Sequence, residues 1–206
     1  MSGQVIVDIT MSLDGFIAGP NGRPGNPLGD GGTRIHDWIF RLASFAERAG
    51  LSGGETGADD DVVRAVFART GANVMGRRMF DEGEVGWPAK APFHTPVFVL
   101  THHGREPWER PGGTTFFFVT DGFENALEKA RAAAGALDVR ISGGANVIQQ
   151  AFKAGAVDEL TIHVAPMLMT HGVRLFDHLS TADVTLQPVE AIQSPSVTHL
   201  RYRVVK

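Results

Sequence analysis

The chain has 206 residues, a length at which one domain buries roughly 70% of the surface its unfolded form exposes. With 43% hydrophobic and 20% charged residues and 13 Phe for the interior, its composition is that of a globular protein and excludes wholesale disorder. The net charge of −4 repels nucleic acid, and zero cysteines exclude a disulfide scaffold, a Cys nucleophile and a thiolate zinc site. No apolar run reaches the roughly 18 residues of a membrane span, and the start lacks a basic stretch followed by a long apolar one. The expectation is one cytoplasmic domain over residues 1–206, with no nucleic-acid or membrane partner.

Residues 5–9 form a β-branched run, followed by the turn Ser12-Leu13-Asp14-Gly15 and by Phe16-Ile17-Ala18. Gly, Pro, Asn and Asp dominate residues 20–33, which read as a long loop of the functional or mobile kind. Ile35, Trp38, Leu42, Phe45 and Ala49 recur at spacings of three and four and predict one amphipathic helix, ended by Gly50. After a second glycine-rich loop at 52–57, Asp59-Asp60-Asp61 precede Val62, Val63, Val66 and Phe67, as acids do at a helix N-terminus.

Further along, residues 72–75 read as a short buried strand, Gly76-Arg77-Arg78-Met79-Phe80 as a helix start, and residues 96–101 and 114–120 as strands. Phe123, Leu127 and Ala130 mark a helix, residues 139–142 a strand, and Gly143-Gly144 leads into a helix through Val147, Ile148, Ala151 and Phe152. Residues 159–166 are again strand-like, and residues 184–192 and 197–205 pair as an antiparallel hairpin around Ser194-Pro195-Ser196. The alternation predicts an α/β fold: a mostly parallel sheet of about eight strands, helices on both faces, and the C-terminal hairpin added to it.

Three predicted strands end in a turn or helix start: Val74-Met75-Gly76-Arg77-Arg78, Val99-Leu100-Thr101-His102-His103 and Ile141-Ser142-Gly143-Gly144-Ala145-Asn146. In open α/β sheets ligands sit at the carboxyl ends of strands, where helix N-termini present free N–H groups to anions. One phosphate-rich ligand could face all three. Gly143 and Gly144 let the backbone approach a pyrophosphate, Arg77 or Arg78 supplies charge and Thr101 a hydroxyl. A Gly-Gly pair alone is an ordinary turn. Gly-x-Gly-x-x-Gly after the first strand, a Walker loop and Gly-x-Ser-x-Gly are all absent, which removes Rossmann, P-loop and α/β-hydrolase readings.

The order of these motifs resembles the dihydrofolate reductase superfamily, and within it the branch of the riboflavin-biosynthesis reductase domain, the RibD C-terminal domain. The likeness spans nearly the whole chain and includes Val157-Asp158-Glu159-Leu160 and the run through Pro166 to Gly172, Leu175 and Phe176. It implies a dihydrofolate-reductase-like domain that uses NADPH, and a homodimer with the C-terminal hairpin as its contact. By the same resemblance Gly76, Arg77 and Arg78 hold phosphates, and Leu100, Thr101 and His102 the adenosine end. Ser142, Gly143, Gly144, Ala145, Asn146, Val147 and Ile148 wrap the pyrophosphate, while Thr10, Ile17 and Ala18 border the nicotinamide. His103 and Arg105 add cations for a 2′-phosphate. The family's Gly-Gly bond is often cis, which is expected at Gly143-Gly144. The sequence departs at Met79, where folate reductases usually carry a hydroxyl.

Hydride reduction of a C=N or C=O group leaves an atom that needs a proton. The family position for the acid maps to Asp60, whose competing role is a helix cap. Asp14 in the Ser-Leu-Asp-Gly turn is a second candidate and could equally bond its own backbone. Asp37 could reach the cleft. On the substrate side stand Asp8, Trp38, Trp87 and His163, the tryptophans being equally suited to core packing. Adjacent His102 and His103 point to opposite sides of an extended chain, so no metal is expected. The leading reading is an NADPH-dependent reductase of a small nitrogen heterocycle, a pterin, pyrimidine or related carbonyl compound. The alternative is a non-catalytic nucleotide- or flavin-binding module on the same fold.

Overall fold

A computed structural model of the protein describes residues 3–180 and 184–206. Its chain opens with strand β1 (Val5–Ser12), whose β-branched residues are buried on both faces, and turns back into β2 (Phe16–Ala18). A 3-10 turn (Gly32–His36) leads to helices α1 (Asp37–Phe40), α2 (Ala43–Arg48) and α3 (Ala58–Arg69). Next come β3 (Thr70–Gly76), α4 (Arg77–Glu84), β4 (Pro96–Leu100), β5 (Trp108–Arg110) and β6 (Thr114–Val119). Helix α5 (Phe123–Ala134), β7 (Asp138–Gly143), α6 (Ala145–Lys153), β8 (Glu159–Ala165), β9 (Val173–Arg174), β10 (Thr185–Gln193) and β11 (Thr198–Val205) complete it.

Nine strands form one sheet in the order β10-β11-β8-β1-β7-β3-β4-β6-β5, one more than the expected eight, and β2 pairs with β9 separately. The strands from β8 to β6 in that order run parallel, with antiparallel strands at either edge. Such a parallel centre needs cover on both faces. Against β3, β4 and β7 lies α5, whose Phe123, Leu127 and Ala130 join Val74, Phe98 and Ile141 in the main core. A second, aromatic core surrounds Phe80, which meets Phe116 and Phe118 edge-on at 5.2 and 5.0 Å. A third gathers Trp38, Leu42, Val63 and Val197.

The helix predicted over residues 35–49 is three short pieces. Leu42 is extended (φ −75°, ψ 145°), because the neighbouring backbone pairs with the second glycine-rich loop: Glu55 N–H donates to Arg41 O and Ala43 N–H to Glu55 O. The apolar spacing survives the break, since Leu42 and Trp38 are both buried. No helix among the described residues is long and apolar enough to cross a membrane.

Candidate functional site

The carboxyl ends of β1, β3, β4 and β7 open into two adjoining cavities. The first, about 570 Å³, is walled by Ile17, Ala18, Gly76, Arg77, Arg78, Leu100, Thr101, His102 and His103, and by the turn from Ser142 through Gly143, Gly144, Ala145 and Asn146 to Val147. Helices α4 and α6 start here from Gly76 and Gly144, and neither has a side-chain cap. Their first-turn N–H groups, which have no partner within a helix, suit an anion. The Gly143-Gly144 peptide is cis, as expected. Gly143 takes a φ of +124°, open to glycine but strained for other residues, and a Cβ at Gly144 would meet no atom within 4 Å. Arg77 and Arg78 donate from Nε to Asp81 and Glu82, each at 2.7 Å, so each guanidinium is partly committed.

The second cavity, about 510 Å³, shares Ile9, Leu28, His36, Met79, Glu82 and Ser142 with the first. Asp8, Thr10, Arg140 and His163 line one side of it, and Phe40, Phe45, Arg48, Phe67, Trp87 and Phe93 another. Asp8 accepts from Arg140 at 2.9 Å and from His163 Nε2 at 3.0 Å. Burial alone would raise its pKa, but the charges of His163 and Arg140 and the His163 hydrogen bond bring it down to about 2. Behind it, His163 Nδ1 meets His199 Nδ1 at 2.7 Å, and His199 Nε2 meets Asp59 at 2.8 Å. Burial lowers His36 to about 4, so its imidazole is neutral at pH 7. Burial and the charge of Arg140 lower Arg48 to about 10. His36 Nδ1 and Arg140 Nε are buried without a hydrogen-bond partner in the protein.

The first cavity thus collects the cofactor-side residues named from sequence, with three exceptions. Thr10 lines the second cavity instead, and Ile148 is fully buried in the main core because it lies on the inner face of α6. Arg105 lines neither cavity; its guanidinium stacks over Phe118 and Trp108.

On the substrate side Asp8, Trp87 and His163 reach the second cavity. Trp87 also stacks on Phe116 at 5.1 Å, so its packing and cavity roles coexist. Trp38 lies behind the wall: its Nε1–H donates to Thr10 Oγ1 at 3.3 Å and its ring covers His163 and His199.

The candidate acids lie elsewhere. Asp60 lines neither cavity and caps a neighbouring helix rather than its own, accepting the Ser44 N–H at the start of α2 and Arg64 Nε, each at 2.7 Å. Asp14 closes a turn, accepting from Ser12 Oγ and from the Met169 and Thr170 N–H groups. That set, led by Ser12, lowers its pKa to about 2, and neither it nor the exposed Asp37 lines a cavity.

Sequence reasoning missed Arg140, Arg48, His36 and Glu82. Arg140 carried a readable signal, a cation among the apolar residues Val139 and Ile141 of a central strand, where a charge needs a partner. His36 and Arg48 carried none, because only the broken helix aims them at one space.

A scan of family models matches residues 4–200 to the RibD C-terminal domain. Among solved structures, the chain is similar to a protein from Shewanella sp. PV-4 whose name places it in riboflavin biosynthesis, with 25% identity, complete coverage of both chains and a TM-score of 0.68. It is also similar to RibD from Acinetobacter baumannii, at 17% identity and TM-score 0.63, covering 100% of this chain and 59% of that one. A dihydrofolate reductase from Enterococcus faecalis shares the fold at 12% identity and TM-score 0.57, over 100% of this chain and 99% of the other. No curated protein matches the sequence. The family match over nearly the whole length, together with the cavities at the strand ends, places this chain in the RibD C-terminal domain family.

Proposed function

We propose that the protein is a reductase that transfers hydride from NADPH to a C=N or C=O bond of a small planar nitrogen heterocycle. The observation that carries the reading is the junction of two cavities of similar size, where Ile9, His36, Met79 and Ser142 wall both. A ligand in the first cavity would bring its reactive end to this junction, next to a ligand in the second. The glycine turn and the two uncapped helix starts fit a pyrophosphate, and the Enterococcus faecalis reductase of the same fold is described in complex with NADP(H). When bound, NADPH supplies the hydride.

The protein's own residues set what the second cavity accepts. Phe45, Phe67, Trp87 and Phe93 offer aromatic surface to a flat ring. Arg140 Nε has an unused N–H for a ring carbonyl, and His36 Nδ1 lacks a partner as well. Arg48 donates to the carbonyls of Pro92, Phe93 and Phe67 and, among the described residues, has no carboxylate partner. Asp8 is paired with Arg140 and Glu82 with Arg78, so Arg48 is the arginine of this cavity left without a carboxylate among the described residues, which favours a substrate with an anionic substituent. Pyrimidines and pterins that carry a phosphate or carboxylate meet these demands.

The experiment is to titrate the protein with NADPH by tryptophan fluorescence, then follow NADPH oxidation with pterins, aminopyrimidines and quinones. Saturable NADPH binding and turnover of at least one heterocycle are expected. Binding with no turnover of any of them would leave a nucleotide-binding module, and absence of NADPH binding would overturn both readings.

A further inference from the structure

The chain Asp8, His163, His199, Asp59 runs from the wall of the second cavity to the N-terminal turn of α3, and its hydrogen bonds determine how many protons it holds. The Asp8 and Asp59 carboxylates accept, so His163 donates from Nε2 to Asp8 and His199 donates from Nε2 to Asp59, at 3.0 and 2.8 Å. The two Nδ1 atoms, 2.7 Å apart, must share one further hydrogen. Three hydrogens on the four ring nitrogens make one imidazolium and one neutral ring. Burial, the largest influence, lowers the pKa of His199 against the opposing hydrogen bond to Asp59, so the shared hydrogen is assigned to Nδ1 of His163, the ring that faces the cavity and Asp8.

We propose that His163 is the proton source of the reduction, held as an imidazolium at the cavity wall by His199 and Asp59. The assignment rests on the reductase reading above. Asp59 fixes the tautomer of His199 by accepting from Nε2, which leaves the His199 Nδ1 lone pair to accept from His163 Nδ1–H. His163 then keeps both ring hydrogens and is balanced by Asp8, which Arg140 also pairs. Neutral His36 from the 3-10 turn is the remaining titratable neighbour, and Trp38 covers both rings and keeps water from the Nδ1 pair.

In the step itself, hydride adds to the carbon of the substrate C=N bond and the π pair moves onto nitrogen. The His163 Nε2–H bond breaks as a hydrogen–oxygen bond forms on Asp8, and that bond breaks as the new N–H forms on the substrate. His163 is left neutral with its hydrogen on Nδ1, and a solvent proton entering the emptied cavity restores it through Asp8. Asp8 and His163 are catalytic in this scheme, and His199 and Asp59 are positioning residues.

The test reads the charge directly. Nitrogen-15 NMR of the histidine-labelled protein near pH 7 should find both His163 nitrogens protonated. His199→Phe removes the acceptor and keeps the ring, so His163 should lose one hydrogen, and the alkaline limb of kcat should move down by about one pH unit. NADPH affinity should stay within about twofold, since neither His199 nor Asp59 lines the first cavity. Asp59→Asn, which keeps the size of this largely buried side chain and removes its charge, should shift the limb in the same direction by less. A singly protonated His163 in a protein that turns over substrate would overturn the proton-source role alone, as would a limb unmoved in both variants. A protonated His163 in a protein that reduces nothing would overturn the reductase reading and this role with it.

Discussion

Asp60 and Asp8 are both buried carboxylates, and what surrounds each decides its work. Asp60 faces a backbone N–H at the start of α2 and one guanidinium, so its charge ties α2 to α3. Burial opposes ionisation there, but the Ser44 and Arg64 hydrogen bonds prevail and hold its pKa below the ordinary 3.8. A carboxyl lowered on folding stabilises the protein above its unfolded pKa, and that contribution is lost as pH falls through the folded value. Asp60→Asn should therefore cost about 1–2 kcal/mol in urea unfolding at pH 7, a difference that shrinks below pH 4. Turnover of substrate should stay near wild type, and a steep loss of kcat at unchanged stability would return Asp60 to the role of acid. In the sequence these two residues carried opposite signals: Asp60 sits in a triple-Asp run at a family position, whereas Asp8 is one acid inside an apolar strand. Burial among Arg140 and His163 is a long-range fact, with sequence separations of 132 and 155, and local pattern could not show it.

At the scale of elements, the turn between β7 and α6 is where strand, helix and cavity meet. Its two glycines stand in different surroundings and should respond differently to the same substitution. Gly143 has a φ of +124°, and a Cβ there would lie 3.3 Å from Met79 Sδ. Gly144 has a φ of −76°, which any residue accepts, and faces open space at the lining of the first cavity. Gly143→Ala should destabilise the fold by about 1–3 kcal/mol through backbone strain. Gly144→Ala should leave thermal stability nearly unchanged yet weaken NADPH by about tenfold or more, because its methyl occupies cavity space a ligand backbone contact needs. Equal NADPH affinity in Gly144→Ala and wild type, by fluorescence titration, would remove this turn from the cofactor reading. This junction was legible because composition and position coincide there: glycines after a β-branched run and before a periodic apolar helix. The helix over residues 35–49 was misread for the reverse reason. Its apolar spacing is genuine, but Arg41 O and Ala43 N–H pair with Glu55, and a backbone contact with a distant loop leaves no trace in spacing. Strand β5 escaped because Trp108 is its one apolar residue, and its existence depends on pairing with Phe116 and its neighbours.

For the whole molecule, the net charge of −4 sets a condition on any anionic cofactor. The overall field opposes a phosphate-rich ligand, so attraction must come from groups at the site, within roughly one Debye length of 8–10 Å. In the first cavity these are the two helix starts, Arg77 and Arg78, and the exposed pair His102 and His103 beside Thr101. Arg77 and Arg78 share their charge with Asp81 and Glu82, so under the proposed reading the histidine end is the part of the cavity that would discriminate a 2′-phosphate. Because the cavity draws its walls from β1, β3, β4 and β7 together, a ligand there clamps the centre of the sheet and should raise the stability of the chain as a unit. NADPH at a hundred times its Kd adds about 2.7 kcal/mol, which for a chain of this size is about 5–10 °C in Tm. NADH at equal concentration should give a smaller shift, since it lacks the 2′-phosphate that the His102 and His103 end of the cavity would meet. Added salt should weaken the NADPH shift more than the NADH shift, since the extra phosphate is held through screened surface charge. Equal shifts for the two cofactors at low salt, measured by differential scanning fluorimetry, would remove His102 and His103 from cofactor choice and leave the sheet-end cavity without a 2′-phosphate preference.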